Sequence, residues 1–216
     1  MSNNKELTMT ALMATIYIVL NAIPISQFIG SAIFIPLSII FIPVMAWLLT
    51  PKNAAIASII GGLGSLIFNP VGTAGMGVFA ILVPFIATTV GSLTIHSNYR
   101  YATIVWLVVE FGIYIFRYSG EAPLAWGTHY LIAALLAGYG VMSGKRDPIW
   151  YAASIAMSEN AVLNVFSMYV VGLPAGVWNF ILVPSMIERI IATVGSILII
   201  KAITKTIPQA VPQLEG

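Results

Sequence analysis

Apolar positions run along this chain in blocks of helical length from Leu7 to Ile203, separated by short polar, Pro- and Gly-containing breaks. A helix needs about 20 residues to cross a hydrocarbon core. On that measure the pattern predicts eight spans, at 7–25, 31–50, 53–69, 76–95, 101–118, 125–143, 149–172 and 177–203. Breaks fall at Asn21–Pro24, Thr50–Asn53, Asn69–Gly75, His96–Arg100, Ser119–Pro123, Gly144–Pro148 and Gly172–Gly176, where turn residues cluster.

Charge sides with an even count. Alternate connections, together with both termini, carry Lys5, Lys52, Arg100, Lys145, Arg146, Lys201 and Lys205. The opposite connections, 26–30, 70–75, 119–124 and 173–176, hold no Lys or Arg, although Arg117 lies close to one. The positive-inside rule then places both termini in the cytoplasm. A shift of 97 residues aligns Ile16-Tyr17-Ile18 with Ile113-Tyr114-Ile115 and Pro51 with Pro148, and a shift of 100 aligns Ile81–Pro84 with Ile181–Pro184. The chain is thus open to reading as two parallel four-helix repeats.

Composition narrows the class. The 216 residues are 59% hydrophobic and 7% charged, against about 25% charged in soluble domains. The expected fold is an all-α polytopic membrane protein of about eight transmembrane helices, a single domain over 1–216 in the cell membrane. Residues 1–98 would form a scaffold and docking half, 99–203 a substrate-site half and 204–216 a cytoplasmic tail. The first span lacks a basic leader, so it does not read as a cleaved signal. No cysteine is present, which excludes thiolate metal sites, disulfides and Cys nucleophiles. The net charge of +2 is too small to suggest nucleic-acid binding. HExxH, GxSxG and P-loop patterns are missing, so no enzyme, cofactor or metal site is expected.

The two halves differ in chemistry. Spans one to four carry no charge in their interiors. Ala57, Gly61 and Ser65 form a small-xxx-small seam on the third, and Ala11, Ala14 and Thr15 a small patch on the first. Such seams serve either intrachain packing or partner docking.

The second half holds the mid-span charges. Glu110 is central in span five, with Tyr114 and Arg117 on its face. Glu159 is central in span seven beside Asn160 and Asn164, and Glu188 and Arg189 lie in span eight after Pro184. A carboxylate at bilayer depth costs about 2.5–3.5 kcal/mol even on lenient scales and usually marks function. Glu110, Glu159, Asn160, Asn164, Glu188 and Arg189 are therefore the candidate substrate-binding residues, with mutual pairing as the alternative. Arg189 is the expected counter-charge of Glu159, and Arg117 the second choice. Three carboxylates against so few arginines favour a cationic ligand or a proton. Trp126, Tyr169 and Trp178 read as an interfacial belt, or else as a lid over an entrance. His129 reads as a satisfied polar group.

The stretches KELTMTALMATIYIVLNAIP, PKNAAIASIIGGLGSLIFNPVG, ILVPFIATTVGSLTI and VPSMIERIIATVGSILIIKAI resemble the substrate-binding membrane subunits of energy-coupling-factor (ECF) transporters. That resemblance implies capture of a vitamin or trace metal, with uptake powered by a transmembrane coupling subunit and two cytosolic ATPases. It implies docking through Ala11, Ala14, Ala57, Gly61 and Ser65, and a pocket in the later helices. Such subunits usually have six helices, so a count of eight departs from them. Met1-Ser2-Asn3 lacks the early His of nickel- and cobalt-type members. A thiamine-like or other small cation is the implied ligand. Two other readings stand beside it: a stand-alone proton-coupled secondary transporter, and a non-transporting structural subunit of a larger complex.

Overall fold

The computed structural model describes residues 3–27, 34–118, 125–210 and 212. Residues 28–30 of the predicted 26–30 connection, the break at Ser119–Pro123 and residues 213–216 of the predicted tail lie outside the described residues. The fold is all-α, with eight principal helices among the described residues. They are α1 (Asn3–Asn21), α2 (Phe41–Leu48), α3 (Pro51–Phe68), α4 (Phe79–His96), α5 (Ala102–Tyr118), α6 (Ala125–Met142), α7 (Pro148–Phe166) and α8 (Trp178–Thr206).

Local sequence explains several boundaries. Pro51 and Pro148 open α3 and α7, where a missing N–H costs nothing. The Asp147 carboxylate caps α7 by accepting a hydrogen bond from Ile149 N at 3.0 Å. Gly172, at φ 71°, turns the chain after the wide helical turn Ser167–Val171 that follows α7.

The second predicted span is the main correction. An unbroken helix over 31–50 was expected. Instead β1 (Pro24–Gln27) pairs antiparallel with β2 (Phe34–Pro36), and a 3-10 turn, Leu37–Ile40, leads into the eight-residue α2. Pro36 fixes extended backbone, with ψ 162°, where a helix would have to continue. Every residue of α2 is buried, against α4, α7 and α8. Its apolarity therefore reflects central burial rather than length.

Side-chain ties between helix ends show that successive helices alternate in direction. At one end Asn53 Nδ2 donates to Glu6 Oε2 (3.2 Å), a ring nitrogen of His96 bonds Trp47 O (2.8 Å), and Lys201 pairs with Asp147 (3.4 Å). At the other, Asn21 Nδ2 donates to Ser38 Oγ (3.1 Å), Asn69 Nδ2 donates to Asn21 O (2.8 Å), and Tyr118 Oη donates to Leu173 O (2.6 Å). The alternation read from charge holds, and the basic connections share one end of the bundle. The two halves are not packed alike, however. In α6, which sits between α5 and α7, Leu131, Ile132 and Leu135 are exposed, whereas its repeat counterpart α2 is wholly interior.

Small hydroxyl residues lie inside the bundle beside its apolar core, while aliphatic stripes face outward. Ser58, Ser65, Thr88, Ser92, Ser154, Ser158 and Ser196 are buried. Ile56, Ile60, Leu63 and Ile67 of α3, and Val183, Ile187, Ile190, Val194 and Leu198 of α8, are exposed at helical spacing. By length and apolarity alone, two of the described helices qualify to cross a membrane, Pro51–Phe68 (mean hydropathy 1.2) and Phe79–His96 (1.7).

Small residues let the backbones meet. A Cβ on Gly62 would sit 2.7 Å from Ile81 Cα and 2.9 Å from Ala80 O, both backbone atoms of α4. A Cβ on Gly61 would lie 2.8 Å from the Tyr17 ring of α1. The proposed docking seam is thereby corrected. Ala57, Gly61 and Ser65 are buried against this chain's own helices, as is Ala14 on α1, whereas Ala11 is exposed. Gly62→Ala is expected to lose about 1–3 kcal/mol by overpacking. Gly112→Ala, with nothing within 4 Å of its added carbon, is expected to gain about 0.5–1 kcal/mol. Thermal unfolding of the two purified variants checks both signs.

Candidate functional site

Four helices, α5 to α8, bring the predicted polar residues together. Glu159, Asn160 and Asn164 project from α7, Glu188 and Arg189 from α8, and Glu110 from α5. The expected counter-charge is the observed one: the Arg189 guanidinium pairs directly with the Glu159 carboxylate, both side chains about 5% exposed. Arg189 Nη1 also donates to Ala156 O at 3.3 Å, tying the pair to the α7 backbone. Glu188, on the far side of Arg189, is 3.9 Å away.

Arg117 does not reach this cluster. Its guanidinium lies 5.1 Å from the centroid of the Tyr118 ring, at the exposed end of α5. Glu110 is fully buried beside Asn164, and neither of its carboxylate oxygens has a hydrogen bond of ordinary geometry among the described residues. A buried carboxyl without such bonds is costly.

A phenol missed by sequence reasoning holds the polar residues in place. Tyr130 of α6 accepts at its Oη from Asn160 Nδ2 (3.2 Å) and from Asn164 Nδ2, joining α6 to α7. Ser185 Oγ donates to Asn160 Oδ1 at 3.4 Å and carries the chain of contacts to α8. Tyr130 sits in a span that offers no other polar residue at its spacing, and nothing in the sequence set it apart from an interfacial aromatic.

Glu159 also walls a small cavity of ≈ 30 Å³ between α1, α2, α4 and α7. Tyr17, Asn21, Ser38, Thr73 and Phe166 line it as well. That volume holds roughly one or two waters. Strand β2 and the turn after α3 contribute Pro36 and Met76 to its wall, at the end of the bundle opposite the basic connections. The first half therefore contributes to the site, contrary to the predicted division of labour.

The aromatic belt reading needs correction. Trp178 is fully buried and packs edge-on against Tyr114 and Tyr118, with ring centroids 5.6 Å apart in each case. It is core, neither belt nor lid. Tyr169 is exposed. The side chain of Trp126 lies outside the described residues. His129 is buried and stacks on Tyr130 with centroids 4.6 Å apart.

Breaking a buried pair by removing one partner leaves an uncompensated charge, at a cost of about 3–5 kcal/mol. Arg189→Gln is expected to destabilise the protein by that amount. The double variant Glu159→Gln/Arg189→Met is expected to recover more than half of the loss. Thermal unfolding of the singles and the double measures the coupling directly.

No family model matches the chain, and neither a curated protein nor a solved structure matches it.

Proposed function

We propose that this chain is a polytopic membrane protein that captures a small cationic micronutrient for an ATP-driven uptake transporter of the ECF type. The observation that carries the reading is the pairing of exposed aliphatic stripes outside with a buried charged and amide-bearing cluster inside. Bulky aliphatic stripes on the outer faces of α3, α6 and α8 would be an aggregation liability in water but suit a lipid surround. Polar residues within such a bundle mark ligand or ion sites. Segregation of Lys and Arg to one end supports a cytoplasmic placement of that end and of both termini.

The cavity beside Glu159 then opens toward the outer side, where capture would occur. Glu110, Glu159 and Glu188 outnumber Arg189, which favours a cation such as a thiamine-like ring. At its present volume the cavity has to widen, and β2 and the 73–76 turn are the walls nearest the outside. A transmembrane coupling subunit would meet the outer faces of α1 and α3, around exposed Ala11 and Ile60. Cytosolic ATPases would supply the energy.

A second reading, a proton-coupled secondary transporter, is favoured by one observation. Glu110, buried without a cation beside it among the described residues, is the group best placed to carry a coupling proton.

Two measurements test these readings. The chain has no native cysteine, so single cysteines report position. Gly176→Cys is expected to react with an impermeant maleimide in intact cells, and Ser143→Cys only after lysis; the reverse pattern would sink the orientation. In proteoliposomes the chain alone is expected to bind thiamine or a related cation saturably without accumulating it, and to lose binding on Asn160→Ala. Accumulation by the chain alone, driven by a pH gradient, would decide for the second reading.

A further inference from the structure

A second cavity, ≈ 600 Å³ and larger than the one beside Glu159, lies at the basic end of the bundle. It is enclosed by the ends of α2, α4 and α6 and the start of α7, and Trp47, His96, Tyr99, Arg100, Arg146 and Tyr151 line it. Among the described residues, two arginines and no carboxylate line this space. Asp147, next to Arg146 in sequence, pairs with Lys201 at 3.4 Å and is not part of the lining.

One of the two cations is held by the backbone. Arg146 Nη2 donates to Ile95 O at 3.1 Å and approaches His96 Nδ1 at 3.3 Å. His96 Nε2 lies 2.8 Å from Trp47 O, an acceptor only, so the proton of the ring is on Nε2. Nδ1 is then the acceptor for Arg146. The remaining donors of Arg146, and all those of Arg100, have no hydrogen bond or ion pair among the described residues. Partial burial holds the Arg146 guanidinium below its ordinary pKa; Tyr151 opposes this and Arg100 adds to it. Like charges converging on one space with no counter-ion is an unfavourable arrangement that an anion would relieve.

We infer that this cavity is a binding site for a phosphorylated anion, with the phosphoryl oxygens seated between Arg100 and Arg146. Guanidinium forks match phosphate oxygens in geometry and charge. Exposed Tyr99 supplies a further hydroxyl, and Tyr151, whose hydroxyl donates to Lys145 O at 3.2 Å, supplies ring surface. The phosphate can come from an anionic phospholipid headgroup of the adjacent leaflet or from a free phosphorylated molecule. The lipid source rests on the membrane orientation proposed above; the phosphate chemistry does not.

The test uses the purified full chain. In detergent, sodium phosphate is titrated against sodium chloride at matched ionic strength, with thermal unfolding as the readout. In parallel, native mass spectrometry follows phosphatidylglycerol retained from nanodiscs of phosphatidylcholine with and without that lipid. Saturable stabilisation by phosphate identifies a free-ligand site. Retention of phosphatidylglycerol without a phosphate response identifies a lipid site. In either case Arg100→Gln is expected to weaken the effect about tenfold, while Lys52→Gln, at the same end but outside the cavity, leaves it unchanged. The Arg100 side chain makes no hydrogen bond or ion pair among the described residues, so Arg100→Gln should fold as the parent does; Arg146→Gln is the second variant. The proposal is overturned if neither probe binds, if chloride reproduces the phosphate effect, or if Lys52→Gln loses as much as Arg100→Gln. Maleimide labelling that reverses the orientation would leave the phosphate titration standing and remove only the lipid source.

Discussion

The contact between Glu159 and Arg189 is the constraint around which the second half of the fold is arranged. Neither side chain reaches solvent, so each depends on the other for charge balance. That requirement brings the middle of α7 against the middle of α8. The Ala156 carbonyl takes a second proton of Arg189, and Ser185 reaches Asn160 one turn away. Tyr130 then ties α6 to the same surface of α7. A polar seam thus runs through the middle of three helices.

The first half uses a different device. Gly61 and Gly62 leave no side chain between α3 and its neighbours, so Tyr17 packs on one glycine and the backbone of Ala80 and Ile81 on the other. Gly91 does the same for Ala46 and Ile155, where a Cβ would lie 2.9 Å from each. Close approach of this kind gains dispersion contacts that do not depend on water. It also explains why α2 can lie in the centre despite its eight residues, walled by α4, α7 and α8.

The two cavities sit at opposite ends and differ in chemistry. The one beside Glu159 is small and bordered by a carboxylate, one amide, hydroxyls and apolar side chains; the basic one is large and bordered by guanidinium groups and aromatic rings. The His96 ring, bonded to Trp47 O and to Arg146, is part of the wall that closes the basic end.

Much of the fold was legible from the chain alone. Helical-length apolar blocks with Pro and Gly breaks located seven of the eight helices within a few residues, because segment length and breaker chemistry are local properties. Charge asymmetry foretold the alternation, since Lys and Arg collect at one end whatever the packing. The pairing of Glu159 with Arg189 was legible too, because a buried carboxylate needs a cation and few were on offer. What tertiary structure alone decided is which face of each helix turns inward. A small-residue stripe reads the same whether it meets a partner or its own chain, and only the placement of Tyr17 over Gly61 showed that it is internal. An apolar run such as 31–50 likewise reads the same as a span or as a central core segment; the hairpin ending at Pro36 made it the latter. Tyr130 entered the site because α6 lies beside α7, and Arg100 came to share a cavity with Arg146 because α4 and α6 end together. Those adjacencies are set by packing between segments distant in sequence, which no local pattern encodes.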